Sequence, residues 1–293
     1  MRPTPASPWV IRARLVHPFP SVLDGVVVAV IALVAGAAVP VALQLGASML
    51  FLQCAIGVGN DVADLHRDAD RADKAIPTGL VTLRAARVLG AVCAALGLVL
   101  ALLVAPLVLL AALVVLGIGA AYDLRAKGTP FSWVPLAVGV PMLPVYGWLG
   151  ATGTLPSIFL LLTPIAATAG AALAIANAVV DVERDTLVGA SSIAVVLGRV
   201  RAAAVAVLLQ IVVGVVALAS GVVLGTPMGW QIAVAGAWLV PVGGAVFGVV
   251  AVVRGHGIAD RELAWEAQAV GLGLLAVAWV SGLGASMGAG LGI

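Results

Sequence analysis

Asn60, Asp61, Asp64 and Asp68 stand together where a long apolar run gives way to the charged segment GNDVADLHRDADRAD, Gly59–Asp73. Asn60, Asp64 and Asp68 are spaced i, i+4, i+8. On a helix that spacing stacks their side chains along one face, with Cβ atoms about 5–6 Å apart from turn to turn. Such a stripe repels itself unless a cation sits on it. The same pattern returns at Asn177, Asp181 and Asp185, in NAVVDVERD. Two acidic stripes at the ends of two apolar helices predict two halves facing one cation-rich site, a metal–diphosphate site at a membrane surface.

Magnesium suits such stripes. It keeps octahedral oxygen geometry, binds through one or two carboxylates, and completes its shell with waters and substrate phosphates. His17, His66 and His256 lie in three separate loops and make no zinc cluster with the two cysteines, Cys54 and Cys93. No glycine-rich GK[ST] loop is present, which argues against hydrolysis of a nucleoside triphosphate. A diphosphate also calls for cations from the protein. Arg67, Arg71 and Lys74 follow the first stripe, Arg125 and Lys127 follow the fourth apolar segment, and Arg184 lies inside the second stripe. Lys74 and Lys127 are the only lysines in the chain, and both follow helices that end at the expected site. The plain alternative for the aspartates is a solvated loop, and Asp70 and Asp73 are left there. It accounts poorly for two matching stripes in a chain this short of charge, since carboxylates at a bilayer edge are costly.

The elements that must position these groups are membrane helices. The chain has 293 residues, of which 63% are hydrophobic and 10% charged, and its mean hydropathy is +1.21. Soluble domains carry about 25% charged residues. At about 20 apolar residues per crossing, nine segments are expected: 22–38, 40–60, 83–104, 106–122, 131–151, 157–178, 201–224, 230–253 and 263–285. A polar arm, 1–21, precedes a single transmembrane domain, 22–285, and a short tail, 286–293, follows it. No cleavable leader is legible at the N-terminus. All fifteen basic residues fall in the arm or in the loops after segments 2, 4, 6 and 8 and the helix ends beside them. The positive-inside rule then makes that face, with the N-terminus and both stripes, cytoplasmic in a multi-pass cell membrane protein. The net charge of +2 is too small to point to nucleic acid. Trp133, Trp148, Trp230 and Trp265 stand at segment ends and read as interface anchors. The recurring stripe implies a four-plus-four parallel repeat, about 22–130 and 131–260, with a ninth helix added.

These motifs carry a resemblance. NDVADLHRD resembles the NDxxDxxxD motif of the UbiA superfamily of intramembrane prenyltransferases, and NAVVDVERD is similar to its second motif, DxxxD. KAIPTG, Lys74–Gly79, resembles the segment that trails the first motif there. Tyr122 and Lys127 in YDLRAKG look like the tyrosine and lysine of the family's loop between helices 4 and 5, and SSIAVVLGR, Ser191–Arg199, resembles the segment after the second motif. The resemblance implies an all-α fold of nine transmembrane helices around a central, lipid-open cavity. It also implies Mg²⁺-dependent transfer of an isoprenyl group from an isoprenyl diphosphate to an aromatic or lipid acceptor in the membrane, with no obligate protein partner. By position, Asn60, Asp61, Asp64, Asp68, Asn177, Asp181 and Asp185 would bind metal and diphosphate. Arg67, Lys74 and Lys127 would contact phosphate, and Tyr122 would orient the diphosphate or shield a cation. Acceptors in the family include hydroxybenzoate, homogentisate, chlorophyllide and glycerol-phosphate lipids, and phosphoribosyl diphosphate also serves as a substrate; these stay open here. A CDP-alcohol phosphotransferase would need DG and AR beside its aspartates, which neither stripe has. A cation-coupled transporter would place ionisable groups near the bilayer midplane, whereas the sequence sets them at one end.

Overall fold

The computed structural model describes residues 7–291, with side chains through Ser286. Among them the regular elements are all helical, in the order α1 (Pro8–Arg14), α2 (Pro18–Val34), α3 (Val39–Ala63), α4 (Leu83–Val104), α5 (Pro106–Ala121), α6 (Val134–Thr152), α7 (Phe159–Val180), α8 (Val182–Leu187), α9 (Ile193–Leu197), α10 (Arg199–Val223), α11 (Met228–Val253) and α12 (Ile258–Leu291). Eight of these are long and apolar enough to cross a membrane; α1 and α2, bent by 48° at their junction, make up to nine. The nine expected segments correspond to α2–α7 and α10–α12. Prolines start the helices, since the first turn has no use for the missing N–H: Pro40 lies in the first turn of α3 and Pro106 opens α5.

Two boundaries moved for physical reasons. The arm is not uniformly irregular: Ser7 caps α1 by accepting from the Val10 N–H at 3.4 Å, and α2 begins at Pro18, so residues 18–21 belong to the first crossing helix. At the other end, α12 begins at Ile258 and runs through Leu291. Residues 258–262 precede the ninth expected segment, yet they are helical, and the charged side chains Asp260, Arg261 and Glu262 have partners or face a cavity. Residues 286–291, expected as tail, continue this helix, while 292–293 lie outside the described residues.

The helices form two packed groups joined by α6 and α12. In the first, Val28, Leu45, Met49, Leu52, Val108 and Tyr146 are fully buried among α2–α6. In the second, Phe159, Leu162, Val213, Leu275 and Trp279 pack between α7, α10 and α12. With lipid outside as apolar as the side chains, close approach and polar contacts must hold the helices. Gly25 and Gly46 meet at the α2–α3 crossing, where a methyl on Gly25 would stand 2.8 Å from the Gly46 carbonyl oxygen. Ser48 donates to the Gly97 carbonyl at 2.7 Å and lies 2.7 Å from the Tyr146 hydroxyl, tying α3 to α4 and α6. Gly117, expected to serve the same close packing, faces open space instead. This frame leaves α3 and α7 side by side with the ring's interior, each ending at the charged face.

Candidate active site

Asn60 lies in the last turn of α3, and Asp64 ends that helix with its own N–H bonded to the Asn60 carbonyl at 2.9 Å. The expected single helical stripe therefore breaks at Asp64. Its spacing survives, because the Asp68 N–H bonds the Asp64 carbonyl at 2.8 Å through an irregular turn. The second motif behaves alike: α7 stops at Val180, Asp181 sits at the break before α8, and the Asp185 N–H bonds the Asp181 carbonyl at 2.9 Å. Both helices thus end at an aspartate of their motif.

Protein cations bridge the two motifs. Arg184 of the second pairs with Asp68 of the first and also donates to the Arg67 carbonyl at 2.7 Å. Lys127 pairs with Asp64, and its ammonium lies 5.6 Å from the centre of the Tyr122 ring, a cation–π distance. Tyr122 opens a single π-helical turn, Tyr122–Ala126, that continues α5 and closes with the Lys127 N–H on the Tyr122 carbonyl at 2.9 Å. Such turns are uncommon and recur at functional sites. The wider turn sends Tyr122 and Lys127 towards the same cavity. Gly128 follows with φ of +73°, and a methyl there would stand 2.5 Å from the Arg67 guanidinium. Its carbonyl accepts from the Ser191 N–H at 2.9 Å, which joins the two motif loops.

These groups line one end of a cavity of about 760 Å³. Asn60, Asp64, Asp68, Asn177, Asp181 and Asp185 all border it, as do Arg67, Lys74, Tyr122 and Lys127. Deeper in, the wall turns apolar, with Leu143, Leu162, Ile165, Leu272, Leu275 and Trp279. Asp64 and Asp68 have their lysine and arginine partners, but no cation pairs directly with Asp181 or Asp185 among the described residues. Enclosure by the protein, and then the neighbouring Asp185 charge, hold the Asp181 carboxyl above the usual carboxylate range. Two adjacent carboxylates without a protein counter-ion favour a divalent cation. Among the described residues no three His, Cys, Asp or Glu side chains converge on one point. That donor set fits a metal shared with a phosphate ligand better than one caged by protein alone.

Asp61 is placed elsewhere than expected. It is buried on α3, does not border the cavity, and accepts from Lys74 Nζ at 2.5 Å while lying 3.0 Å from His17 Nε2. Lys74 sits 3.9 Å from Asp68, so this pair links the α1–α2 elbow to the first motif. His17, read in sequence as a solvated histidine, holds that elbow with φ of 46°, the sole positive value at a non-glycine among the described residues. Gly57 makes room for its ring, which a methyl would meet at 2.9 Å.

Other groups could not be found by motif. Asn60 Nδ2 donates to Asp123 at 2.8 Å. Arg261, nearly fully buried, donates to the Val179 carbonyl at 3.1 Å and to Glu183 at 2.8 Å, clamping the break between α7 and α8 that aims Asp181. Trp265, expected as an interface anchor, borders the cavity and meets Phe19 edge-on at 5.8 Å. The signal available in sequence for Arg261 was a lone arginine at the head of an apolar helix, which names no partner.

With that geometry in hand, the comparison with known proteins is decisive for the family: residues 22–268 match the model of the UbiA prenyltransferase family. The chain belongs to that family. It is an integral membrane protein and a prenyltransferase by family, and the fold agrees with solved UbiA structures. The apo UbiA homologue from Aeropyrum pernix K1 superimposes with a TM-score of 0.70 at 20% identity, covering 88% of this chain and 96% of that one. A UbiA homologue from Archaeoglobus fulgidus, solved with DMAPP and Mg²⁺, gives 0.67 at 18% identity over 91% and 99%. A structure described for digeranylgeranylglyceryl phosphate synthase gives 0.66 at 15% identity over 94% and 96%. No curated protein matches the chain in sequence.

Proposed function

We propose that this UbiA-family protein transfers an isoprenyl group from an isoprenyl diphosphate to an aromatic or lipid acceptor inside the membrane. One observation carries the reading: two aspartate motifs, joined by Arg184 and with Lys127 paired to the first, close the polar end of a cavity whose deeper wall is apolar. A diphosphate would sit at the polar end and its hydrocarbon tail among Leu162, Ile165 and Leu272. The A. fulgidus homologue, crystallised with DMAPP and Mg²⁺, supports a donor and metal of this kind.

Asn177, Asp181 and Asp185, with Asn60, Asp64 and Asp68 opposite, would hold magnesium. Bound there, it supplies Lewis-acid stabilisation of the departing diphosphate. Lys127 and Lys74, released from their aspartates as the diphosphate arrives, contribute positive charge on the same side, and Arg67 adds to it. Tyr122 presents its ring face to the cationic carbon left when the C–O bond breaks. The motif loops and the elbow at His17 keep water from that carbon.

Membranes carrying the protein, given geranyl, farnesyl or geranylgeranyl diphosphate and a lipid extract, are expected to form prenylated product. EDTA should abolish it and Mg²⁺ restore it, with mass spectrometry as the readout. Product formation unaffected by EDTA would sink the reading.

The same proposal places the N-terminus and both motifs on the cytoplasmic side of the cell membrane. In intact cells a membrane-impermeant thiol reagent should modify Thr154→Cys, between α6 and α7, and spare Ala69→Cys until the cells are opened. Both positions are exposed, while Cys54 and Cys93 are buried. The opposite labelling pattern would invert the topology.

A further inference from the structure

Asp24 is a carboxylate that the donor site does not use, and it borders the cavity from within a crossing helix, α2. Gln53 Nε2 donates to its Oδ2 at 2.7 Å, and no cation pairs with it among the described residues. Gln53 precedes Asn60 on α3 by seven residues, which at helical rise is about 10 Å deeper into the membrane. Around the pair the wall is apolar, with Leu23, Val27 and Met49. A carboxylate at such depth is expensive and is kept for a partner. Gln53 engages one oxygen and leaves the other free to receive a donor from the cavity. The neighbouring α12 adds Glu266 to the same cavity.

Resting on the prenyl-transfer reading above, we propose that Asp24, held by Gln53, receives the hydroxyl of the acceptor and restricts acceptors to those whose reacting end carries no negative charge. The position fits, because the carbon that reacts is bonded to the diphosphate, and its acceptor must approach from the membrane side. An anionic head such as a carboxylate or phosphate would lose its hydration against this apolar wall, where no protein cation pairs with Asp24 among the described residues. A neutral hydroxyl instead finds the free oxygen of Asp24 as a hydrogen-bond partner.

The test uses the full-length protein in detergent or nanodiscs with Mg²⁺ and tritiated geranyl, farnesyl and geranylgeranyl diphosphates in turn. The acceptor source is a total lipid extract from cells that make the protein, split by anion exchange into neutral and anionic fractions. Wild type is expected to label the neutral fraction. Asp24→Asn keeps the shape but removes the charge. It should lower kcat/KM for that fraction about 10- to 100-fold, shift the ratio of labelled product towards the anionic fraction, and leave donor affinity within about twofold. A variant that merely loosens the fold would lower both products together and weaken donor binding, and that result would overturn the assignment. So would wild-type labelling of the anionic fraction alone, or an unchanged rate and ratio in Asp24→Asn. Failure of the wild type to label either fraction counts instead against prenyl transfer itself.

Discussion

Asp181→Ala is expected to cut prenyl transfer by about 100- to 1000-fold, the usual cost of deleting one key group that stabilises transition-state charge. Asp181 and Asp185 lack a direct protein counter-ion among the described residues, and Asp181 is held above the ordinary carboxylate range by its enclosure and by Asp185. A metal relieves both conditions at once, so removing one ligand should also raise the Mg²⁺ concentration needed for half-maximal rate. Asp64→Ala should lose a similar factor, with the added effect of freeing Lys127. Asp70 is exposed and does not border the cavity, and Asp70→Ala should be close to silent. Initial rates against a Mg²⁺ titration make the comparison. Equal losses at Asp70 and Asp181 would show that the loops act through bulk negative charge rather than through placed ligands.

The second large effect is expected at Lys127. It bonds Asp64, lies over the Tyr122 ring and borders the cavity from a loop remote in sequence from both motifs. Charge on the diphosphate grows as the C–O bond breaks, so a cation there contributes more in the transition state than in the bound ground state. Lys127→Ala should therefore lower kcat by more than it raises KM. Lys127→Arg should recover part of the rate, because the charge is kept while the planar guanidinium cannot repeat the ammonium's contacts. Arg254, exposed after α11, serves as the control, and Arg254→Ala should be nearly neutral. Steady-state kinetics with a fixed isoprenyl diphosphate decides the matter: wild-type kcat in Lys127→Ala would remove this loop from the site.

The motifs were legible because their chemistry is local. Asn60, Asp64 and Asp68 keep one-turn spacing through backbone bonds between near neighbours, and Asn177, Asp181 and Asp185 do the same. What their spacing could not convey is that regular helix ends at Ala63 and at Val180, so that the spacing is carried across a break after each helix. The π-helical turn at Tyr122 was hidden for a related reason, as one added residue per turn leaves no mark in a run of apolar and charged letters.

By itself the amino-acid sequence determined the all-helical membrane architecture, the face on which the charges gather, and which two helix ends carry the aspartate motifs. Each follows from hydrophobic length, from the cost of charge in a bilayer, and from a helical repeat of a few residues. Only the tertiary structure decided the partners: Arg184 on Asp68, Lys127 on Asp64, Asp61 turned away to Lys74 and His17, Arg261 beneath Glu183, and Asp24 against Gln53. These pairings span tens of residues or more. A side chain's charge states what it needs, but the packing of distant helices determines which group is near enough to supply it.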